Sequence, residues 1–197
     1  MDTRRNEAAG RTPGAAEENG LQAEHEDYER LIEPIEAQML RAVWGVTQNA
    51  DDAEEALQEA LTLIWRKLGR IRRHANPHAL ILRICLNTAC DVVRKKLRRR
   101  RREAHTELLT PRPGRSPADE AAAQEQHAIV LEAVGKLSRN QSTAVLLRLV
   151  QGQSYQAIAE ALGCKDATAR KHVARGRERL QEMLSPIAPH LAKEPAQ

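Results

Sequence analysis

Apolar side chains begin to recur at three- and four-residue steps from Leu31, and they set out a series of helices. Leu31, Ile32, Ile35, Met39, Leu40, Val43 and Trp44 predict a first helix, offset by Pro34 and ending at Val46 or Thr47. Asn49-Ala50-Asp51-Asp52 is a start signal, with Asp51 as the expected N-cap and Glu54 completing a capping-box-like pair. In the helix that follows, Ala53, Leu57, Leu61, Ile64, Trp65 and Leu68 should face inward, leaving Asp52, Glu55, Gln58 and Glu59 as an acidic outward stripe. A basic loop, Gly69 to Pro77, carries Arg70, Arg72, Arg73 and His74. A third helix starts near His78, with Leu80, Ile81, Ile84, Cys85 and Val92 as its core face. Thr88 shares that face, where its hydroxyl can bond the carbonyl of Ile84. Asn87, Asp91, Arg94 and Arg98 line up on a different face, and the helix runs on through Arg94-Lys95-Lys96-Leu97-Arg98-Arg99-Arg100-Arg101-Arg102.

The pattern then breaks. Glu103 to Ala118, with Pro111, Pro113, Gly114 and Pro117, has linker composition. Beyond it Ile129, Val130, Val134 and Leu137 predict a helix, and Ser138-Arg139-Asn140-Gln141 is a capping box opening another that carries Val145, Leu146, Leu149 and Val150. Tyr155, Ile158, Ala159 and Leu162 form one face of a short helix capped by Ser154 and stopped by Gly163. From Asp166 a second stripe, Ala169, Val173, Gly176, Leu180 and Met183, completes a helix-turn-helix. With Val173 at the buried centre, steps of about 100° per residue put Thr168, Lys171 and Arg175 on the opposite face, and Arg170 and Arg177 on a flank. Such a helix offers donors for base edges and flanking cations for phosphates.

Composition narrows the fold. The 197 residues hold no Phe, two Trp and two Tyr, so the core must come from Leu, Ile, Val and Ala, which suits helical bundles better than sheets. Trp44 and Trp65 are both expected in that core. The net charge of +4 is modest, but its cations are clustered, which points to a polyanionic partner. Cys85, Cys90 and Cys164 lack CxxC spacing and read as reduced core residues; no metal site or cofactor is expected. No Gly-rich phosphate loop and no nucleophile paired with a base appears, so no catalytic residue is assigned and the chain is not expected to be an enzyme. No apolar run approaches a membrane span and Arg4-Arg5 has no apolar segment behind it, so a cytoplasmic location without membrane association is expected.

Three motifs, in order, carry a resemblance. Asp52-Ala53-Glu54-Glu55-Ala56-Leu57-Gln58-Glu59 followed by Leu63-Ile64-Trp65, Leu82-Arg83-Ile84-Cys85-Leu86-Asn87 with Asp91 and Arg94, and Thr168 to Arg177 together resemble the extracytoplasmic-function class of bacterial sigma factors, of the sigma-70 family. The resemblance covers about residues 26 to 184. It implies an all-α fold of two small helical bundles, region 2-like and region 4-like, joined by a flexible linker. The expected division is 1–25 disordered, 26–102 region 2-like, 103–121 linker, 122–184 region 4-like and 185–197 a flexible tail. It further implies that Asp52, Glu55 and Gln58 meet core RNA polymerase, and that Asn87, Asp91, Arg94, Lys95 and Arg98 face the −10 region of promoter DNA. Thr168, Arg170, Lys171, Ala174, Arg175 and Arg177 would read the −35 element, and an anti-sigma protein is a further partner of the class. Gly176 departs from the family pattern, where Ala is usual. The alternative function is a stand-alone helix-turn-helix regulator with an N-terminal dimerisation or sensing bundle, separated from the first by stoichiometry: a dimer on a palindrome, against one copy on the polymerase.

Overall fold

The computed structural model describes Gln22, residues 25–106 and residues 118–187. Among these residues the fold is all-α, with no strand. Residues 25–32 are helical, and a 3-10 turn at Glu33–Ile35, with Pro34 in its first turn, leads into α1 (Glu36–Thr47). The order continues α2 (Ala50–Arg66), the single turn α3 (Leu68–Ile71), α4 (Pro77–Thr106), α5 (Ala118–Lys136), α6 (Arg139–Leu149), α7 (Tyr155–Leu162) and α8 (Asp166–Leu184). The disordered N-terminal segment expected over 1–25 lies outside the described residues except for Gln22 and His25, which are helical. The Pro-containing stretch between α4 and α5 and the tail beyond Ile187 also lie outside them.

The cap of α2 is Asn49, not Asp51. Asn49 has the extended backbone a cap needs, φ −147° and ψ 134°, and its side chain accepts the Asp52 N–H at 3.0 Å, whereas Asp51 is already inside the helix. The buried stripe of α2 is also narrower than expected. Ala56, Ala60 and Ile64 face α4, and the two alanines let its backbone approach closely. Trp65 sits about 100° off that stripe and is 40% exposed, its ring meeting Tyr28 edge-on at 5.3 Å. Trp44 is 53% exposed, so neither tryptophan belongs to the core.

α4 is the axis of the molecule. It packs on α1 and α2 from one side and on α5, α6 and α7 from the other. A helix covered on two sides buries a wide arc, which is why Ala79, Ile81, Leu82, Cys85, Leu86, Ala89, Cys90, Val92 and Val93 are all buried, while the predicted core positions Leu80 and Ile84 are half-buried. Thr88 makes the expected bond to the Ile84 carbonyl at 3.1 Å. Burial pushes the thiols of Cys85 and Cys90 up, to about 12 and about 11, because an interior with few compensating dipoles disfavours the thiolate. One apolar cluster runs without a break from Ile35 to Val173. The two bundles therefore meet across α4 as well as through the linker, a packing that the linker composition did not disclose.

The C-terminal bundle is set by its caps. The Ser138–Gln141 capping box opens α6. Ser154 accepts the Ala157 N–H at 3.1 Å to open α7, and Gly163, at φ +67°, ends it in the left-handed conformation that glycine adopts without a Cβ penalty. After a short turn, Lys165 caps α8 with an extended backbone, so Asp166 is the first residue of the helix. Ala169, Val173 and Gly176 form the buried underside of α8. A Cβ on Gly176 would stand 2.5 Å from Cγ2 of Val145 on α6, which accounts for the glycine here.

Candidate nucleic-acid interface

Because Ala169, Val173 and Gly176 anchor α8 from below, its opposite face is held outward. Lys171, Ala174 and Arg175 are exposed, and Thr168 and Arg177 are half-buried at its edges. Arg170 is fixed: its Nε donates to Asp166 at 2.6 Å, and its guanidinium lies 4.3 Å above the ring of Tyr155. The guanidinium of Arg148 lies 4.9 Å from the same ring and donates to the Gln153 carbonyl at 2.9 Å. Stacking on the ring face favours a cation, so Tyr155 at the start of α7 gathers two arginines from α6 and α8 along the edge of the helix-turn-helix. Arg148 and Tyr155 were missed as partners of Arg170, because they stand 22 and 15 positions before it on other helices and no single-helix periodicity links them.

The second cationic surface follows α4. Asn87, Asp91 and Arg94 share a face as expected, and Arg94 donates to Asp91 at 3.1 Å. That face is covered only in part: Asn87 and Arg94 are half-buried, whereas Asp91 stays exposed. The Thr143 hydroxyl lies 3.0 Å from the amide oxygen of Asn87, and Arg139 stands 3.8 Å from Asp91, both side chains coming from α6. Lys95 turns to the other side of α4, where it meets Glu55 at 3.2 Å, and Arg98 is exposed further along.

The acidic stripe of α2 divides in two. Asp52 points at α4, where Lys96 donates to it, and only 14% of its side chain is exposed. It is therefore part of the packing between α2 and α4 and not of an outward face. Glu55 is exposed although paired with Lys95, and Gln58 is exposed, donating to Glu54 at 3.1 Å. Beside Glu54 the first bundle carries an apolar groove of about 560 Å³ lined by Leu40, Val43, Trp44, Ala53 and Leu57. Among the described residues no cluster of His, Cys, Asp or Glu could hold a metal ion, and no helix is long and apolar enough to cross a membrane.

This order of parts, a bundle with a basic central helix followed by a helix-turn-helix, coincides with two family models. The model described as Sigma-70 region 2 matches residues 31–102, and that described as Sigma-70, region 4 matches residues 127–180. Together they span well over half of the chain. The chain belongs to the sigma-70 family. Its relatives are named accordingly. The ECF RNA polymerase sigma factor SigM of Mycobacterium tuberculosis is 29% identical over 158 residues, covering 80% of this chain and 76% of that protein. The probable RNA polymerase sigma factor RfaY of Xanthomonas campestris is 26% identical over 160 residues, 80% of this chain but 40% of that protein, so the chain spans well under half of that relative's length. Among solved structures, CnrH in complex with the cytosolic domain of CnrY shares the fold at a TM-score of 0.50 and 19% identity, covering 82% of this chain and 89% of that one. The sigma factor is thus of the extracytoplasmic-function class, and its function is to bind core RNA polymerase and direct promoter recognition. Members of the family are non-catalytic initiation factors.

Proposed function

We propose that this sigma factor reads its promoter with two separate helices. α8 enters the major groove at the −35 element, where Lys171 and Arg175, one turn apart on its outward face, address base edges. Thr168 and Ala174 border that face, and Arg170 and Arg177 on the flank contact phosphates, which fixes register without choosing sequence. The observation that carries this reading is the burial of Ala169, Val173 and Gly176 against exposure of Lys171, Ala174 and Arg175 on the same helix.

α4 serves the −10 region through Asn87, Asp91 and Arg94, with Lys95 and Arg98 supplying phosphate neutralisation beside them. Glu55 and Gln58, exposed on α2, face the polymerase, and Asp52 supports them by holding α2 to α4 through Lys96. The chain carries out no catalysis of its own, works in the cytoplasm, and is a candidate for an anti-sigma partner. The domain division is 26–102 and 122–184, two bundles able to separate about the intervening stretch.

The test is a matched set: core pull-down, start-site mapping with sigma-free core polymerase, and binding of mutant holoenzymes to cognate and base-substituted promoters at fixed salt. Arg175→Ala should cost about 1 to 3 kcal/mol and relax preference at one −35 position, whereas Arg177→Ala should weaken all sequences alike. Neither should alter core association. Uniform loss with Arg175→Ala and altered preference with Arg177→Ala would mean that α8 docks by another face.

A further inference from the structure

The basic loop ahead of α4 is tied to the helical segment 25–32. Arg72, directly after the single turn α3, donates to the carboxylate of Asp27, 45 residues earlier in the chain. Leu68 and Ile71 are buried and pin that turn. Arg72 stands four residues past Leu68, so its stem emerges beside the core and runs along the surface before the guanidinium is free. It ends on Asp27. The other oxygen of that carboxylate takes Arg30 of the same segment at 3.4 Å.

The segment that supplies Asp27 is itself held in place. Tyr28 meets the Trp65 ring of α2 edge-on at 5.3 Å, and His25 approaches the same ring at 6.5 Å. Tyr28, Leu31 and Ile32 are half-buried against the core. The ion pair built on this support is asymmetric, for 20% of the Asp27 side chain is exposed against 57% of Arg72. The carboxylate is therefore a fixed acceptor, whereas the guanidinium keeps most of its five N–H donors open. Such a partly open pair adds little to folding. Its consequence is geometric: a long side chain with many rotamers is held in one direction.

That direction matters because the loop continues the cationic side of α4. Burial, with Arg139 and Arg70 nearby, lowers the pKa of Arg83, so Arg70 of the loop, Arg83 of α4 and Arg139 of α6 lie within electrostatic reach of one another. Arg139 in turn stands 3.8 Å from Asp91, which Arg94 also meets. Cations thus run from the loop to the residues assigned to the −10 region. Among the loop arginines, Arg73 is turned back, its Nε donating to the Gly69 carbonyl at 2.9 Å, and Arg72 alone has a carboxylate partner among the described residues. Asn76 fixes the far end of the loop, its Oδ1 accepting the Ala79 N–H at 3.0 Å in the first turn of α4.

We propose that Asp27 is a positioning residue for promoter binding: it aims the Arg72 guanidinium at a backbone phosphate of the −10 strand, so the segment ahead of α1 sets affinity for DNA that it does not touch. A carboxylate behind an arginine removes rotamers that DNA binding would otherwise have to freeze, which is worth about two- to tenfold in affinity. Lysine is a poor substitute for Arg72, because one ammonium lacks the planar fork that serves a carboxylate and a phosphate from different edges. The inference rests on the assignment of α4 to the −10 region, and the experiment separates the two.

Holoenzyme assembled from full-length variants and sigma-free core polymerase is titrated, over a range of salt, with a labelled non-template-strand oligonucleotide covering the −10 region of a promoter found by start-site mapping. Arg72→Ala should weaken binding and lower the slope of log K against log salt by about 0.7, the loss of one phosphate contact on a single strand. Asp27→Asn should weaken binding about two- to tenfold, and Asp27→Glu should restore most of it. Arg30→Ala, which removes the other partner of Asp27, should bind as wild type does. In the Arg72→Ala background Asp27→Asn should have no further effect. Thermal midpoints of the free chains should agree within about 4 °C, which separates aiming from folding.

Unchanged or tighter binding by Asp27→Asn would overturn the inference, since Asp27 would then only neutralise Arg72. An equal loss with and without Arg72 would overturn it too. If Asn87→Ala with Arg94→Ala leaves binding unchanged while Asp27→Asn and Arg72→Ala still weaken it, the −10 assignment of α4 fails and the role of Asp27 stands.

Discussion

Gly176→Ala should destabilise this protein although alanine is the better helix former. In an exposed helix interior the change would gain about 1 kcal/mol. Here the new Cβ would lie 2.5 Å from Cγ2 of Val145 and 3.4 Å from the carbonyl oxygen of Gln141. Carbon atoms sit comfortably at about 3.5 to 4.0 Å, so the methyl group arrives roughly an ångström too close. Val145 is 2% exposed and branched at Cβ, so a rotamer change cannot clear it cheaply. Overpacking of this kind costs about 1 to 3 kcal/mol, which leaves a net loss of about 0 to 2 kcal/mol after the propensity gain. For a chain of this size each kcal/mol lowers Tm by about 2 to 4 °C. The informative measurement is the double-mutant cycle by urea denaturation. Val145→Ala alone leaves a cavity and should also destabilise, but it removes the colliding methyl groups, so the double variant should be more stable than the sum of the single effects by about 1 kcal/mol or more. Promoter binding should follow, because the clash lifts the recognition helix from its support. Additive effects, or a higher Tm for Gly176→Ala alone, would refute the packing argument.

Tyr155→Ala should weaken binding to the −35 element several-fold for all sequences alike by freeing Arg148 and Arg170, and Tyr155→Phe, which keeps the ring, should retain affinity in the same gel-shift assay. Asp52→Asn should cost about 1 kcal/mol in chemical denaturation because Lys96 loses its partner in a mostly buried setting, whereas Gln58→Ala should stay within about 0.5 kcal/mol yet weaken core pull-down. Differential alkylation read by mass spectrometry should modify half-buried Cys164 well before Cys85 and Cys90. Since the folded state holds those two thiols neutral, their contribution to stability is complete below the unfolded value near 9 and is lost as pH rises towards about 11 to 12, so Cys85→Ala with Cys90→Ala should flatten the alkaline loss of stability.

Local chemistry made much of this molecule legible in the sequence. Ser138 with Gln141, and Ser154 with Gly163, mark helix ends through their own hydrogen bonds and backbone preference, and the structure places those ends there. The underside of the recognition helix was legible for the same reason, since Ala169, Val173 and Gly176 repeat at the helical period over several turns. Which apolar residues are buried was less accessible. Period alone gives a face but not its centre, so the α2 stripe centred on Ala60 was displaced onto Trp65, and only the approach of α4 settled which side was core. Asp52 shows the same limit for charge: a carboxylate at an outward-looking position became a half-buried partner of Lys96, which lies 44 residues further on. The meeting of the two bundles was decided wholly by tertiary structure. Asn87 and Asp91 read as a polar face of one helix alone, because the residues that meet them, Thr143 and Arg139, belong to a separate helix with its own unrelated period. Sequence periodicity records what each helix must bury; which polar groups find one another across a seam depends on the path of the whole chain.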